Sequence, residues 1–401
     1  MNYDEFLNPK IVDVKPSGIR KFFSIAEEMD DVISLGVGEP DFLTPWHIRQ
    51  KGIASLDDGA TRYTANAGLK ELRNEISAFY ERRHSVKYNP DSEIVVTVGG
   101  SEGIDMCIRT LVCPGDEVLV VEPSFVCYKP IVEVCGGKAV PLVTKAENNF
   151  RLQADDLEKA ITPKTKLLVL PYPNNPTGAV MRKEDLQAVA DVVIKHNILV
   201  LSDEIYSELT FGSQEHVSIA SINGMQERTV VINGFSKTYS MTGWRLGYAL
   251  GPAPIIKQMT KLHQYAIMSA PTTSQYAAIE ALQNGDEDIV KMKWEYDTRR
   301  RYTVNAFREI GLDCFEPEGA FYAFPCIKST GLSSEEFCER LIVSKHVAVV
   351  PGNAFGDCGE GYIRVSYCYS IDNIKEAVRR IGEFVRELKE ESENNGECNG
   401  N

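Results

Sequence analysis

The sequence predicts an α/β fold built on a mainly parallel sheet that helices cover on both faces. In the middle of the chain, short β-rich runs alternate with longer helical patterns, and this alternation is typical of parallel sheets. Several β-rich runs lead directly into polar or glycine-rich segments. From about Asp286 the alternation stops, which predicts a smaller α+β domain after the sheet.

The sheet strands are predicted where β-branched and aliphatic residues cluster, and helices are predicted between them. The predicted strands cover residues 93–98, 117–122, 166–170, 198–202 and 229–233, and the predicted helices cover residues 102–112, 125–134 and 183–196. In the first helix, Ile104, Ile108 and Leu111 are spaced by four and then three residues, so they fall on one face.

The second domain begins with a long charged helix over residues 286–310 and ends with a helix over residues 372–388. The domain boundaries predicted are therefore 46–285 for the large domain and 286–390 for the small one. Residues 1–45 are expected to pack on the small domain or on a partner subunit. Residues 391–401 are polar and rich in Asn and Gly, so a disordered tail is expected.

Composition limits the possible partners and compartments. The chain has 401 residues, 43% of them hydrophobic, and a net charge of −14; this acidity argues against a nucleic-acid partner. The amino terminus lacks the pattern of a signal peptide, and no apolar run approaches the roughly 20 residues that span a bilayer. The ten cysteines include no Cys-x-x-Cys pair and no zinc-ligand spacing. We expect a cytoplasmic protein with reduced thiols, no bound metal and no membrane partner.

The first predicted strand leads into a glycine-rich turn, Gly99-Gly100-Ser101-Glu102-Gly103. Glycines let a backbone approach a ligand, and helix N-terminal amides can hold a phosphate; such a turn can also be only a turn. The third strand leads into a proline-rich loop that carries Asn175. This loop either presents Asn175 as a hydrogen-bond donor or simply enters the next helix.

The last two sheet strands end in charged residues. Asp203 directly follows an apolar run, where a carboxylate is costly unless paired; it is either a helix cap or the partner of a protonated ring nitrogen. The strand over residues 229–233 is followed by Ser236 and Lys237, with Arg245 eight residues later. Lys237 is either a surface residue or, if buried, a nucleophilic amine that forms an imine.

The carboxyl ends of parallel strands meet at one edge of a sheet, where ligands bind. A phosphate site, an acidic partner for a ring nitrogen and an imine-forming lysine together match pyridoxal 5′-phosphate. The chain also resembles the fold-type I pyridoxal-phosphate aminotransferases, specifically the prokaryotic aspartate/aromatic subgroup. The motifs that carry the resemblance lie at residues 36–42, 62–64, 175–178, 202–206, 233–237, 241–245, 319–322, 351–356 and 362–366.

The resemblance implies a seven-stranded sheet and a role for each site residue. Lys237 would bind the cofactor as a Schiff base and shuttle protons, and Asp203 would pair with the ring nitrogen. Asn175 and Tyr206 would hydrogen-bond the cofactor's phenolic oxygen. Gly100, Ser101, Ser236 and Arg245 would bind the cofactor's phosphate, and Glu102 would be a further cofactor residue in the turn of Gly100 and Ser101. Phe125 would stack on the cofactor ring. Arg364 would bind the substrate α-carboxylate, and Gly38 would lie close to the substrate.

Tyr63 resembles the tyrosine that reaches the phosphate of a neighbouring subunit, which implies a homodimer. Two positions depart from the family pattern. Ser101 stands where many bacterial aspartate aminotransferases of this subgroup carry a lysine that binds a distal carboxylate, and Gly234 replaces a phosphate-binding serine of other aminotransferases. Ser101 weakens an interpretation limited to dicarboxylic substrates.

The activity that these residues imply is transfer of an amino group from an L-amino acid, aromatic or of broad specificity and possibly aspartate, to 2-oxoglutarate. A carbon–sulfur β-lyase on the same fold would use the same lysine, aspartate and arginine, so it remains an alternative. A non-enzymatic sensor domain of a transcription regulator is disfavoured, because only some 35 residues precede Gly36 and the chain is acidic.

Overall fold

The computed structural model of the chain describes residues 1, 3–16, 18, 29, 31–213 and 215–398, with only the backbone described at residue 4 and residues 394–398. A short strand, β1 (Ile33–Ser34), precedes the main sheet. The main sheet consists of β2 (Ile94–Thr97), β3 (Glu117–Glu122), β4 (Lys138–Val143), β5 (Thr165–Pro171), β6 (Leu199–Asp203), β7 (Thr229–Gly234) and β8 (Gly247–Leu250).

The seven strands lie in the order β2-β8-β7-β6-β5-β3-β4. Only β8 runs against its neighbours; β7, β6, β5, β3 and β4 pair in parallel. The predicted α/β fold with a mainly parallel seven-stranded sheet is therefore confirmed. The parallel arrangement brings the carboxyl ends of β5, β6 and β7 to one edge.

Among the described residues, twelve α-helices pack around the main sheet and the shorter strands. They are α1 (Pro9–Val12), α2 (Trp46–Asp57), α3 (Lys70–His84), α4 (Gly99–Leu111), α5 (Tyr128–Val134), α6 (Ala154–Ala160), α7 (Lys183–Lys195), α8 (Ala253–Ala266), α9 (Thr272–Asn284), α10 (Asp286–Glu309), α11 (Ser334–Lys345) and α12 (Ile371–Cys398). Within the described ranges, no helix combines the length and apolar character needed to cross a membrane.

The sheet is buried on both faces because helices pack against each. Along β3, Val118 and Val120 belong to the same core cluster as residues of α4, whereas Leu119 and Val121 pack with residues of α7. Alternate side chains of a strand point to opposite faces. A strand covered on both faces is therefore apolar at nearly every position, which is why these strands are visible in the sequence.

The rest of the chain forms the smaller α+β part. Its strands are β9 (Tyr322–Ala323), β10 (Val347–Ala348), β11 (Val350–Pro351) and β12 (Ile363–Ser366). Strands β11, β12 and β9 form an antiparallel sheet, and β1 pairs in parallel with β10. These strands share a core with α10, α11 and α12. The boundaries at residues 45, 285 and 390 stay predictions.

The sequence did not reveal β4 and β8. The residues of β4 are largely exposed at the sheet edge, so they lack the continuous apolar pattern of the central strands. Strand β8 has only four residues and directly follows the Gly-Trp-Arg motif. The short apolar run is therefore difficult to distinguish in the sequence from the polar segment before it. Helix α5 begins at Tyr128, three residues later than predicted, because residues 125–127 form the loop that enters it.

Segments near both ends of the chain pack against the folded parts of the molecule. The segment from Ile33 packs on the smaller part, since Leu35 lies in that core, whereas α1 contacts α5 of the large sheet. Residues 2, 17, 19–28 and 30 lie outside the described residues. At the other end, α12 continues to Cys398, and Glu391 pairs with Arg340 at 2.7 Å; the disordered tail expected over residues 391–401 stays a prediction. Extending an already docked helix costs little per residue; residues 399–401 are not described.

Candidate active site

A cleft of about 290 Å³ lies at the carboxyl edge of β5, β6 and β7. Ligands of open α/β sheets bind at this edge. The cleft brings together every predicted site residue except Glu102 and Tyr63. The predicted residues that line it are Gly38, Gly100, Ser101, Phe125, Asn175, Asp203, Tyr206, Ser236, Lys237, Arg245 and Arg364.

Lys237 follows β7 and is buried in the cleft. Its Nζ donates a hydrogen bond to the Gly38 carbonyl oxygen and lies 5.6 Å from the centroid of the Phe321 ring. Burial lowers the pKa of the amine to about 8, because desolvation disfavours the charged form. The unprotonated fraction near neutral pH is therefore larger than that of an exposed lysine, and only the unprotonated amine acts as a nucleophile or base.

Asp203 is the last residue of β6 and faces the cleft from a buried position. Its Oδ2 accepts a 2.6 Å hydrogen bond from the Tyr128 hydroxyl, and its Oδ1 accepts one from the Ile205 amide at 3.2 Å. Among the described residues, no cation pairs with it. Burial raises its pKa to about 6 against these two hydrogen bonds. A buried carboxylate without a cation is costly, so the geometry suits a positively charged ligand group.

Arg364 lies on β12, across the cleft from the large sheet, and is buried. Its Nη1 donates to Asn175 Oδ1 at 2.9 Å and its Nη2 donates to the Gly36 carbonyl oxygen. Its buried Nε has no hydrogen-bond partner within the described part of the chain. The acceptor end of the Asn175 amide is thus occupied, which leaves its Nδ2 as the donor available to a ligand.

One corner of the cleft is arranged for an anion. Gly100 and Ser101 lie in the first turn of α4, where backbone amides lack partners within the helix. The Arg245 guanidinium lies beside this turn and donates to the Thr242 carbonyl oxygen at 3.0 Å. Ser236 lines the same cleft. Arg245 has a φ of 51°, a strained conformation for a non-glycine residue that suggests a functional constraint.

Two aromatic residues complete the walls of the cleft. Phe125 lies in the loop before α5, and its ring is 6.3 Å from that of Tyr128. The hydroxyl of Tyr206 lies 2.8 Å from that of Tyr322. Tyr128 and Tyr322 both line the cleft, and the sequence analysis gave neither a role. The spacing of three residues between Phe125 and Tyr128, and the motif at residues 319–322, were the available signals.

Glu102 and Tyr63 lie elsewhere. The Glu102 side chain folds back and accepts hydrogen bonds from the Val98 amide and from His263 at 2.7 Å, so the carboxylate turns away from the cleft. Tyr63 is 81% exposed. At Gly234, an added Cβ would lie 3.0 Å from both Gly247 Cα and the Leu246 carbonyl oxygen. A serine would not fit there without a shift of these neighbours.

A buried amine, a buried carboxylate and an arginine around one cleft, at the carboxyl edge of a mainly parallel sheet, define a fold-type I transferase that handles amino acids. The sequence matches the family model of aminotransferase class I and II over residues 30–381. The chain belongs to this family. The predicted family and the predicted enzyme class, an aminotransferase, are confirmed.

The relatives cover nearly the whole chain. The Bacillus subtilis protein YugH, which is named as an aminotransferase, is 52% identical; the match covers 95% of this chain and 98% of the YugH chain. An aspartate aminotransferase from Pyrococcus abyssi is 46% identical over 94% and 97%. The crystal structure of an aromatic aminotransferase from Pyrococcus horikoshii has a TM-score of 0.88 at 43% identity, covering 92% of this chain and 99% of that one.

Enzymes of this family generally depend on pyridoxal phosphate, and the residues of this cleft fit that group. Asp203 is a buried carboxylate without a cation, which matches a protonated pyridine nitrogen. Lys237 is a buried amine with a lowered pKa, which suits imine formation with the cofactor's aldehyde. The amides of α4 with Arg245 match a phosphate. These three features line one cleft of suitable size.

Proposed function

We propose that the protein uses pyridoxal phosphate to move the amino group of an L-amino acid to a 2-oxo acid, with 2-oxoglutarate as acceptor. The observation that carries the proposal is the placement of Lys237, Asp203 and Arg364 around one cleft. The proposal extends to a cytoplasmic location. The described cysteines are unpaired, which supports a reducing compartment.

Six residues would hold the cofactor at its polar ends. Lys237 would bind it covalently through Nζ, and Asp203 would pair with its ring nitrogen. The amides of Gly100 and Ser101, with Ser236 and Arg245, would hold its phosphate. When bound, the cofactor supplies a ring that accepts the electrons left behind as a proton leaves the substrate Cα. Phe125 would stack on that ring, a contact worth about 0.5–1.5 kcal/mol beyond burial.

The remaining residues act on the substrate and on protons. Arg364 binds the α-carboxylate through its unpartnered Nε and the free sides of its Nη groups. This contact presents Cα to Lys237, whose Nζ holds and moves the Cα proton once the amine is free. Acid–base work of this kind is typically worth 10²–10⁴-fold in rate. Gly38 leaves room for the Tyr322 hydroxyl in the cleft, because a Cβ added at this position would clash with that oxygen.

The walls of the cleft favour an apolar substrate side chain. Lys237, Arg245 and Arg364 are the cations that line it within the described part of the chain, and each has a role elsewhere. Ser101 offers no charge to a distal carboxylate, whereas Phe125 and Tyr206 offer aromatic surface. Among the relatives, several are named for aspartate and others for aromatic amino acids. We propose an aromatic or broad donor range.

A donor screen with 2-oxoglutarate tests this proposal. We expect phenylalanine and tyrosine to be used at least as well as aspartate, measured as kcat/KM for 2-oxo acid formation. Each donor should also be assayed without an acceptor as a control. A preference for aspartate of tenfold or more, about 1.4 kcal/mol, would mean that a charged distal pocket exists. Release of pyruvate and ammonia from cysteine conjugates, with no dependence on an acceptor, would instead indicate the β-lyase.

We propose further that the protein is a homodimer whose active sites are shared. Tyr63 and Tyr265 are 81% and 85% exposed. Tyr265 lies near the end of α8, and hydrogen bonds join the loop of Tyr63 to the residues that follow this helix, from Asn66 to the Met268 carbonyl and from Thr272 to the Arg62 carbonyl. Nearby apolar side chains are exposed as well, namely Ile267 and Met268. A contiguous exposed apolar surface of this kind is typical of subunit interfaces.

Replacement of Tyr63 by Phe should weaken cofactor retention more than dimerisation. The hydroxyl would donate a hydrogen bond to the charged phosphate of the neighbouring site, worth about 1.5–3 kcal/mol, so the cofactor's Kd should rise by about tenfold or more. Equilibrium dialysis measures retention and sedimentation measures assembly. Tyr265→Phe on the same surface is the matched control and should leave the cofactor's Kd unchanged. A fully active monomer would rule out the shared site.

A further inference from the structure

We propose that Tyr322 is a positioning residue that orients both Arg364 and Tyr206, and so links the carboxylate-binding side of the cleft to its cofactor-binding side. The inference rests on the proposed function, because it assumes that these two residues bind substrate and cofactor. Tyr322 lies in the motif at residues 319–322, and Phe355, which also contacts Arg364, lies in the motif at residues 351–356. The proposed function leaves both motifs without a role.

The fold places Tyr322 next to both residues. Strands β9 and β12 are antiparallel, with Tyr322 opposite Ser366. Arg364 is two positions from Ser366, so its side chain lies diagonally across from Tyr322 on the same face of the sheet. Tyr322 is 1% exposed, and its hydroxyl faces the cleft beside Gly38. The position of this side chain is therefore fixed by its surroundings.

The ring of Tyr322 contacts the Arg364 guanidinium. The Arg364 Cζ lies 4.5 Å from the Tyr322 ring centroid and 4.8 Å from that of Phe355. The hydrogen bonds to Asn175 and Gly36 fix the guanidinium within its plane, and the two rings restrict its tilt. Burial strengthens such cation–π contacts, because water no longer competes for the cation. The rings thus hold Arg364 ready for a carboxylate and reduce the entropy that binding would cost.

The hydroxyl of Tyr322 sets the direction of a hydrogen bond. The two phenol oxygens are 2.8 Å apart, and burial raises both pKa values, that of Tyr322 to about 12. Both phenols therefore keep their single proton, and only one of them can donate across the pair. If Tyr206 donates to the cofactor's phenolic oxygen, its own oxygen must accept from Tyr322. Hydrogen bonds in such a chain strengthen one another, so Tyr322 makes Tyr206 a better donor.

Three variants separate the two roles. Tyr322→Phe removes the hydroxyl and keeps the ring over Arg364, Tyr322→Leu removes both, and Phe355→Leu removes only the second ring. The readouts are the Kd of 3-phenylpropanoate, a carboxylate that cannot react, and the pH midpoint at which the bound cofactor changes its visible absorption. KM for the amino donor and for the 2-oxo acid, together with kcat, complete the set. Thermal unfolding followed by circular dichroism shows that each variant is folded.

We expect Tyr322→Phe to raise the pH midpoint by about half a unit while the Kd of 3-phenylpropanoate stays within about twofold of wild type. Phe355→Leu should raise that Kd and both KM values about tenfold with no shift of the midpoint. Tyr322→Leu should show both effects. If Tyr322→Phe weakens 3-phenylpropanoate as much as Tyr322→Leu, or leaves the midpoint unchanged, the inference is wrong.

The wild-type protein distinguishes this inference from the proposed function. If it neither binds pyridoxal phosphate nor transfers amino groups, the proposed function fails and the inference fails with it. If it does both, and the three variants do not separate the pH midpoint from the Kd of 3-phenylpropanoate, only the role of Tyr322 is wrong. The Phe355→Leu and Tyr322→Phe proteins keep the test decisive should Tyr322→Leu not fold.

Discussion

The Lys237→Ala protein is expected to keep its fold and to lose amino-transfer turnover by at least about 10²–10⁴-fold, the usual contribution of a positioned acid–base group. Loss of the covalent bond to the cofactor should lower the rate further. The reason is that Lys237 Nζ is the amine in the cleft whose burial brings its pKa to about 8. Steady-state assays with a saturating donor and 2-oxoglutarate measure the loss, and circular dichroism checks the fold.

Peptide mapping after borohydride reduction gives an independent result for the same residue. In the wild-type protein, the reduced cofactor should be found on Lys237 alone. Lys159, which is 76% exposed, provides a matched control, and Lys159→Ala should retain both label and turnover. Label on a different lysine in the wild-type protein would refute the assignment of Lys237.

Replacement of Asp203 by Ala should have the second largest effect. Leaving one partner of a buried ion pair unpaired costs about 3–5 kcal/mol, which corresponds to about 200- to 5,000-fold in cofactor affinity or rate. Asp203→Glu should be milder because it keeps the charge. Tyr128→Phe should cost about tenfold or less, since it removes only the 2.6 Å hydrogen bond to Oδ2. An Asp203→Ala protein with a near-normal rate would contradict this role.

The cofactor-free protein offers a pH test of the same carboxylate. Burial raises the pKa of Asp203 to about 6 in the folded chain, above the value near 3.9 expected when unfolded. Its contribution to stability is therefore complete below the unfolded pKa and is lost as the pH rises through 6. Without cofactor, Asp203→Asn should gain thermal stability relative to wild type as the pH rises from 4 to 7. No change in the difference in Tm over that range would contradict the sign.

The strands and the residues at their ends could be predicted for a common physical reason. Strands covered on both faces are continuously apolar, so a charged residue such as Asp203 or Lys237 at a strand end stands out. The parallel arrangement then places those ends together without further information. Strand β4 could not be found in this way, because an edge strand with exposed residues such as Lys138 has no such contrast.

Side-chain direction and long-range pairing were beyond the sequence. The predicted helix over residues 125–134 contained Tyr128, but nothing in the sequence showed that its hydroxyl reaches Asp203, 75 positions along the chain. Glu102 was placed among the cofactor residues because of its turn. Its contact with His263 shows instead that a competing partner draws the side chain away. The polar composition after Glu390 likewise gave no sign that α12 continues to Cys398, because composition does not record the packing of the preceding helix.

The hydrogen bond from Arg364 to the Gly36 carbonyl joins residues 328 positions apart, and Tyr369 reaches the Val37 carbonyl over 332 positions. Such contacts carry a large loop-closure cost and form late in folding. At a synthesis rate of roughly 5–20 residues per second, about 15 to 65 s separate the appearance of these two partners. During that interval the ribosome-bound chain can assemble the strands up to β8, whereas residues 36–39 have no strand to hold them. The hydrogen bonds that hold Arg364 can therefore form only after the strands of the main sheet have been synthesised.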